Sequence, residues 1–437
     1  MSESTPLEPA CPLGDEHPGP PSPHARLTQS QLATLVPELL LSGQLIDRSG
    51  MAHLISAFGR EIMTRVAIEE WMASSPVYTH RMRSALGIDG DTVEDMFKCL
   101  QLDIGAPPQF MDFRYEITDP HHGAFVLEHC GALMDVEPLG DEYVTAMCHD
   151  IEDPTFDATA IATNRRARIR PIHRPPRVPA DRTPHCAWTV TIEPDRPELP
   201  LPEDAEHVFT LAAAQVALSP IDGRATDGYT DYRGPLHQDL QFRDWSAGAL
   251  TRIAEEVALQ HQLLALGFQL SLRRYAQSEE QAVEIFRKQL TGIAGLSADR
   301  LRAALDLSGD ADSLAQVLAL HPVLGPVQYT GVQVAVDGDE VVLRIPAESP
   351  AQADGGWITL LTVDHIEPLQ AAATAVDPYL TATAEESADG LVIRFARGEQ
   401  AHEESGEVAI VRFSSGSNFH FADRGPSVAL SITPVGR

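Results

Sequence analysis

The feature that most restricts the fold is a change of hydrophobic period that occurs twice along the chain. Between residues 28 and 106, apolar residues recur at steps of three and four, the period of amphipathic helices. Residues 107 to 200 carry alternating segments typical of strands, such as FMDFRYEI and GAFVLEHC. Residues 236 to 437 return to a helical block followed by strands. The sequence therefore predicts an α+β fold, a helical layer with a mixed or antiparallel sheet, which a second α+β unit could repeat.

Several element boundaries follow from the same patterns. Ser30 is the predicted N-cap of the first helix, and Gly43 is its predicted end. In the second half, strands are predicted for GVQVAVDGDEVVLRIP, with a turn at Asp337-Gly338, and for GWITLLTV, DGLVIRFARG and GEVAIVRFSS. No residue motif aligns the two halves, so an ancient duplication rests on the order of elements alone. If the halves are related, the second has lost the richness in histidine and cysteine and is a structural or regulatory copy.

Length and composition divide the chain into units. Its 437 residues exceed the size at which a single core usually stops growing. Residues 1–27, rich in Pro, Glu and Ser, are predicted to be a disordered leader. The first domain joins the helical layer 28–106 to an α+β site region 107–200, and a Pro-containing connection covers 201–235. The second domain, 236–437, joins a helical block to a β-rich part.

The charge balance restricts the partners. Lys and Arg total 32 against 63 Asp and Glu, and this net charge of −31 repels polyanions, so nucleic-acid binding is not expected. No apolar run is long enough to cross a bilayer, and no secretory signal precedes the first helix. A cytoplasmic protein without a membrane or nucleic-acid partner is expected. Five cysteines favour free or metal-bound thiols over a disulfide framework, and the oligomeric state is not predicted.

Cysteine and histidine are concentrated between residues 121 and 188. Three dipeptides, His129-Cys130, Cys148-His149 and His185-Cys186, place a thiol beside an imidazole, a ligand combination that suits zinc or iron. The predicted metal ligands are Cys130, Cys148, Cys186 and His173. Their spacing matches no standard zinc motif, and the alternative is a set of buried structural cysteines beside surface histidines.

The segment from Cys148 to Asp153 combines the groups needed for thiol-based hydrolysis. Cys148 is the predicted nucleophile, His149 or His185 the base, and Asp150 the group that orients the base. A cysteine rarely reaches its own neighbouring histidine, which favours His173, His185 or a metal as the activating group. The alternative is a helix end that runs into an acidic loop.

An arginine-rich stretch follows the cysteine segment. Alternation in a strand places Arg166, Arg168 and Arg170 on one face, and prolines stiffen the loop that carries Arg174 and Arg177. Guanidinium groups bind carboxylates and phosphates in bidentate fashion, so these residues are predicted to bind a small anionic molecule. The alternative is a solvated, flexible loop.

The order of a helical layer, a strand ending in Cys130, the segment MCHDIED and a strand containing HCAW resembles the L-2-amino-thiazoline-4-carboxylic acid hydrolase-like family over residues 50–195. Cys148 with Asp150 resembles the family's cysteine that is followed closely by an acidic residue, Cys186 resembles its later strand cysteine, and Cys130 resembles an earlier cysteine position. The resemblance implies hydrolysis of a C–N or C–S bond in a small heterocyclic or amide-like carboxylate. The arginine-proline insert and the large second half depart from the family.

Two rival functions remain open. The first is a non-catalytic sensor, based on a metal or a thiol, or a small-molecule-binding protein. The second is a non-haem iron oxidoreductase or accessory protein. Nucleotide-dependent and serine-hydrolase chemistry are not expected, because no G-x-G-x-x-G, P-loop or G-x-S-x-G motif stands in a suitable context.

Overall fold

The protein has an α+β fold, as predicted, with long helices and two four-stranded antiparallel sheets. The computed structural model describes residues 21–414, 418–423, 425 and 430. The α-helices are α1 (Gln29–Phe58), α2 (Arg60–Leu86), α3 (Val93–Leu100), α4 (Gly131–Val136), α5 (Asp141–Thr145), α6 (Glu152–Ile161), α7 (Glu203–Phe209), α8 (Ala212–Gln215), α9 (Ala247–Tyr275), α10 (Glu279–Ala304), α11 (Ala311–Leu320), α12 (Val327–Thr330), α13 (Pro350–Asp354), α14 (Glu367–Val376) and α15 (Gly406–Arg412). The strands are β1 (Met111–Asp119), β2 (His122–Cys130), β3 (Ala167–His173), β4 (Cys186–Ile192), β5 (Gln333–Asp337), β6 (Glu340–Pro346), β7 (Leu380–Ser387) and β8 (Gly390–Arg397).

The four long helices α1, α2, α9 and α10 form the centre of the molecule. Helix α2 packs against α9, and α1 packs against both α9 and α10, so helices from the two halves share one bundle. Every residue of α1 from 39 to 50 is buried, including two charged ones. Asp47 accepts a hydrogen bond from the Trp71 indole at 2.8 Å, and Arg48 pairs with Asp135 at 3.2 Å. These partners offset the cost of burying charge inside the bundle.

Each sheet consists of two hairpins, and the strand orders are β1-β2-β4-β3 and β5-β6-β8-β7. Helical segments join the hairpins, α4 to α6 in the first sheet and α13 to α14 in the second. The predicted turn at Asp337-Gly338 is confirmed, because Gly338 has a φ of 65° between β5 and β6. Both sheets thus connect their strands in the same order.

Several predicted boundaries are wrong. The N-cap of α1 is Thr28, which forms a capping box with Gln31, and the helix continues past Gly43 to Phe58. The segment GWITLLTV contains a 3-10 helix, Trp357–Leu360, and GEVAIVR forms α15. Four consecutive apolar residues in GEVAIVR suit either period, and the Ser405 cap together with packing against α10 selects the helix.

The predicted leader and connection contain ordered structure. Pro23–Arg26 form a 3-10 helix in which His24 is buried, so residues 23–26 are wrongly placed in a disordered leader, and residues 1–20 lie outside the described part of the chain. Residues 201–235 include α7 and α8, and α7 packs against α2. The side chain of Arg81 in α2 donates to the carbonyls of Ala214 and Val216 at 2.9 and 3.0 Å.

Candidate functional site

Three cysteine thiols from separate elements are buried in the first half. Cys130 ends β2 and caps α4, and its Sγ accepts from the Leu133 amide at 3.4 Å. Cys148 lies in a π-helical turn, Ala146–Ile151, a local geometry that is frequent at functional sites. Cys186 begins β4, opposite Leu127 of β2. All three are free thiols.

Burial keeps these thiols protonated. It raises the pKa of Cys130 to about 12, and the nearby Glu152 carboxyl adds to the effect. For Cys148, burial first and then Glu152 and the other two thiols raise the pKa far above its ordinary value. Burial also raises the pKa of Cys186. Since the thiolate is the reactive form, this environment does not activate Cys148 as a nucleophile.

The Glu152 carboxyl faces the three thiols. Burial raises its pKa from the ordinary 4.5 to about 8, and Arg174 opposes the rise. Its Oε2 atom is buried and accepts no hydrogen bond within the described residues. The thiol cluster, Cys130, Cys148, Cys186 and Glu152, is therefore a set of groups held in their neutral forms.

The predicted general base and orienting group are not assembled around Cys148. His149 uses Nε2 to contact the Pro175 carbonyl oxygen at 2.7 Å, and Asp150 is exposed. His185 is buried, its Nδ1 has no partner among the described residues, and its ring centre lies 5.9 Å from that of His129. Burial, followed by Arg177 and His129, lowers the pKa of His185. Across the described residues, no hydrogen bond joins Cys148 to any of the three.

The predicted metal ligands do not form a recognisable ion site. His173 ends β3, where burial and then Arg182 lower its pKa. In the described part of the chain, no group of three or more His, Cys, Asp or Glu side chains is arranged to hold a metal ion. Zinc or iron binding therefore stays a prediction without geometric support.

The five predicted anion-binding arginines already bind groups of the chain. The strand alternation is confirmed, since Ala167 and Ile169 point inward and the arginines of β3 do not. Arg170 and Arg177 form bidentate pairs with Asp157 and Glu137, with all four distances at 2.9 Å. The remaining contacts are Arg166 to Glu198 at 2.7 Å, Arg174 to Asp153 at 2.5 Å, and Arg168 to the Ala167 and Pro197 carbonyls at 2.7 and 2.9 Å. An anion at this surface would have to displace these partners.

A cavity of about 620 Å³ lies elsewhere, at the start of α1, and sequence reasoning missed it. Residues from both halves line it: Gln29, Ser30, Ala33, Thr34, Pro37, Glu38, Pro108, Gln109, Leu240, Gln241, Phe242, Arg243, His420, Phe421, Ala422 and Asp423. The signal in the sequence that indicates irregular backbone there is the helix-breaking dipeptide Pro107-Pro108 before Gln109.

Gln109 in the wall of this cavity is unusual in two respects. Its φ of 72° lies in the left-handed region that non-glycine residues rarely adopt. Its side-chain amide makes no hydrogen bond to the described residues, although Oε1 is buried. Strained residues and unsatisfied polar groups concentrate at binding sites, so Gln109 marks this cavity as a candidate ligand site.

Comparison of the chain with protein-family models, with curated proteins and with solved structures yields no match. The resemblance to the thiazoline-carboxylate hydrolase-like family therefore stays a prediction. None of the helices in the described part of the chain combines the length and apolar character needed to cross a bilayer.

Proposed function

We propose that this protein is a non-catalytic small-molecule-binding protein whose ligand site is the cavity at the start of α1. The observation that carries the proposal is the cavity itself. Its volume of about 620 Å³ falls within the range typical of small-molecule sites, roughly 300–1,000 Å³. Hydrogen-bonding side chains such as Gln109, Gln241 and Thr34 line it, together with apolar Phe242 and Leu240.

The position of the cavity supports a sensing role. Its walls come from α1 and Gln109 in the first half, and from residues 240–243 and 420–423 in the second. A ligand held between them contacts both halves and stabilises their association by mass action. This arrangement suits a protein that responds to a metabolite by a change in stability or shape.

The thiol cluster supports catalysis less well than the cavity supports binding. Cys148 is buried, burial raises its pKa, and among the described residues no hydrogen bond joins it to a predicted base. Hydrolysis of a C–N or C–S bond stays a prediction from the family resemblance. The non-haem iron alternative likewise has no support in the geometry of the described residues.

Thermal denaturation with a compound panel tests the proposal. Amino acids, organic acids, sugars and nucleotides are each added to the wild type and to the Ala33→Phe variant, which fills the cavity. A ligand at 100 times its Kd stabilises the folded protein by about 2.7 kcal/mol, and we expect at least one compound to do so in the wild type alone. Equal responses of both proteins to every compound would refute the proposal.

The same ligand separates binding from hydrolysis. Incubation with stoichiometric protein, followed by mass spectrometry, should recover the compound unchanged from the wild type and from Cys148→Ser. Conversion by the wild type that stops in Cys148→Ser would instead establish the predicted hydrolase.

A further inference from the structure

Sequence segments of the two halves correspond once the structure shows which helices to compare. RMRSALGIDGD, which begins at Arg81 in α2, matches RLRAALDLSGD, which begins at Arg300 in α10. Both helices end in the same way: the Ile88 amide donates to the Arg83 carbonyl, and the Leu307 amide donates to the Arg302 carbonyl, each at 3.0 Å. The expectation that no motif aligns the halves is therefore wrong for this segment.

Helices α1 and α9 correspond in the same manner. Their N-caps, Thr28 and Ser246, each accept a hydrogen bond from the amide three residues later. Glu38 lies as many residues after Thr28 as Glu256 lies after Ser246, so the two glutamates occupy corresponding positions. Helices α6 and α7 pack on α2 as α14 and α15 pack on α10.

Two ion pairs, one buried and one partly buried, cross between the halves in reciprocal fashion. Arg81 of α2 binds Glu256 of α9, with Nε to Oε2 at 2.9 Å, and Arg300 of α10 binds Glu38 of α1, with Nε to Oε2 at 2.6 Å. Each arginine also donates to a carbonyl of the chain that follows its own sheet, Val216 or Phe419, at 3.0 Å. The two pairs are thus related as in a symmetric dimer.

In the second half, the chain's own side chains fill the space beside Glu256. We call this arrangement the closed copy of the site. Glu256 Oε1 accepts from Arg252 Nε at 3.0 Å, and Arg252 also donates to the Ser219 carbonyl at 3.0 Å. Glu255 accepts from the Ser219 amide at 2.8 Å, from its hydroxyl at 2.7 Å and from the Gln328 amide at 2.9 Å. The Arg252 guanidinium and the Glu255 carboxylate thus fill the space beside Glu256.

In the first half, the corresponding space beside Glu38 is the cavity at the start of α1. We call this cavity the open copy of the site. The residues that correspond to Arg252 and Glu255 are Thr34 and Pro37, which carry neither charge. Glu38 binds Arg300 through Oε2, and within the described residues no second arginine pairs with it as Arg252 pairs with Glu256. His420, which also lines the cavity, contributes a weaker charge interaction that lowers the Glu38 pKa. Gln109, which corresponds to Gln328, makes no side-chain hydrogen bond among the residues that the structure describes.

We propose that the chain contains a duplicated unit, and that the open copy of this site binds a zwitterionic small molecule in the place that Arg252 and Glu255 fill in the closed copy. The cationic group of the ligand, a guanidinium or an ammonium, binds Glu38, and its carboxylate binds the Gln109 amide. This inference rests on the proposed function and names its substrate class. Burial raises the pKa of Glu38 while Arg300 lowers it, so a second cation favours the charged carboxylate.

Isothermal titration with three matched probes tests the assignment. The probes are 5-guanidinopentanoate, which carries both charges, butylguanidine, which lacks the carboxylate, and pentanoate, which lacks the cation. We expect the zwitterion to bind at least about 10-fold more tightly than either single-charge probe, because each charged hydrogen bond adds to affinity. Equal affinity of all three probes would overturn the assignment.

Variants locate the two contacts. Gln109→Ala should remove the advantage of the zwitterion over butylguanidine, and Glu38→Gln its advantage over pentanoate. Thr34→Arg with Pro37→Glu installs the side chains of the closed copy, avoids the buried Arg300 pair, and should abolish binding. Retained zwitterion binding in this double variant would overturn the inference.

The outcomes also separate the inference from the proposed function. A neutral or purely anionic compound that binds the wild type but not Ala33→Phe would overturn the zwitterion assignment and leave the binding function standing. Binding that Ala33→Phe does not affect would overturn both.

Discussion

Replacing Glu152 with glutamine should stabilise the protein at alkaline pH and leave it nearly unchanged in acid. The folded chain holds the Glu152 pKa at about 8, against an ordinary value of 4.5, because the carboxyl is buried. A raised carboxyl pKa means that folding favours the protonated form. Its contribution is fully present below the unfolded pKa and is lost as pH rises from about 4.5 through about 8.

The pKa difference sets the size of the effect. At about 1.4 kcal/mol for each pH unit, it corresponds to roughly 5 kcal/mol in the free energy of unfolding. This is an upper bound, because part of the Glu152 residue contacts water although Oε2 is buried. Glutamine has nearly the same shape and no charge, so Glu152→Gln removes this penalty.

Urea unfolding at pH 4.5 and pH 8.5 provides the assay. We expect Glu152→Gln to match the wild type within about 0.5 kcal/mol at pH 4.5 and to exceed it by roughly 3 kcal/mol or more at pH 8.5. Glu142→Gln removes an exposed carboxylate that pairs with Arg60 and serves as the matched control. A gain that is the same at both pH values, or that also occurs in Glu142→Gln, would refute the role of Glu152 burial.

Three further predictions concern packing, charge and thiols. Gly43→Ala should destabilise the fold by about 1–3 kcal/mol, because a Cβ there would lie 2.5 Å from Ile104, whereas Gly248→Ala, which meets nothing within 4 Å, should raise Tm. Arg81→Ala should lower the free energy of unfolding in urea by about 3–5 kcal/mol, because it leaves the buried Glu256 with fewer partners. The control Arg65→Ala, at an exposed pair, should lower it by less than about 0.5 kcal/mol. Equal losses in the two variants would contradict the reciprocal-pair description. Iodoacetamide at pH 8 should label Cys148 only after denaturation, because burial raises its pKa, and rapid labelling of the native protein would restore it as a nucleophile.

Local periodicity was enough to predict the strands whose alternation is regular. FMDFRYEI and GAFVLEHC form β1 and β2, and the Asp337-Gly338 turn forms the β5–β6 hairpin, because side-chain alternation and turn chemistry act within a few residues. Short apolar runs without a clear period were assigned wrongly. GEVAIVR is helical because tertiary packing decides what local preference leaves open.

The candidate site depended on long-range contacts that no local pattern reports. The crowding of cysteines predicted that three thiols share one site, but their protonation follows from burial, which only the packed structure shows. Likewise, Arg168 and Arg170 of β3 are on one face as predicted, yet Arg170 pairs with Asp157 of α6 and Arg168 donates to the Ala167 and Pro197 carbonyls. Residues that line the cavity lie as far apart in the sequence as Gln29 and Asp423, and no sequence motif marks it.

The shared bundle has a consequence for how the chain is made. Helix α1 begins at residue 29, and its partners α9 and α10 begin at residues 247 and 279. At a synthesis rate of about 5–20 residues per second, the buried face of α1 waits roughly 10–40 s after leaving the ribosome before α9 emerges. During that interval the first half exposes the apolar surface of α1 that α9 and α10 later cover, so maturation of this protein should depend on the chaperones that meet nascent chains.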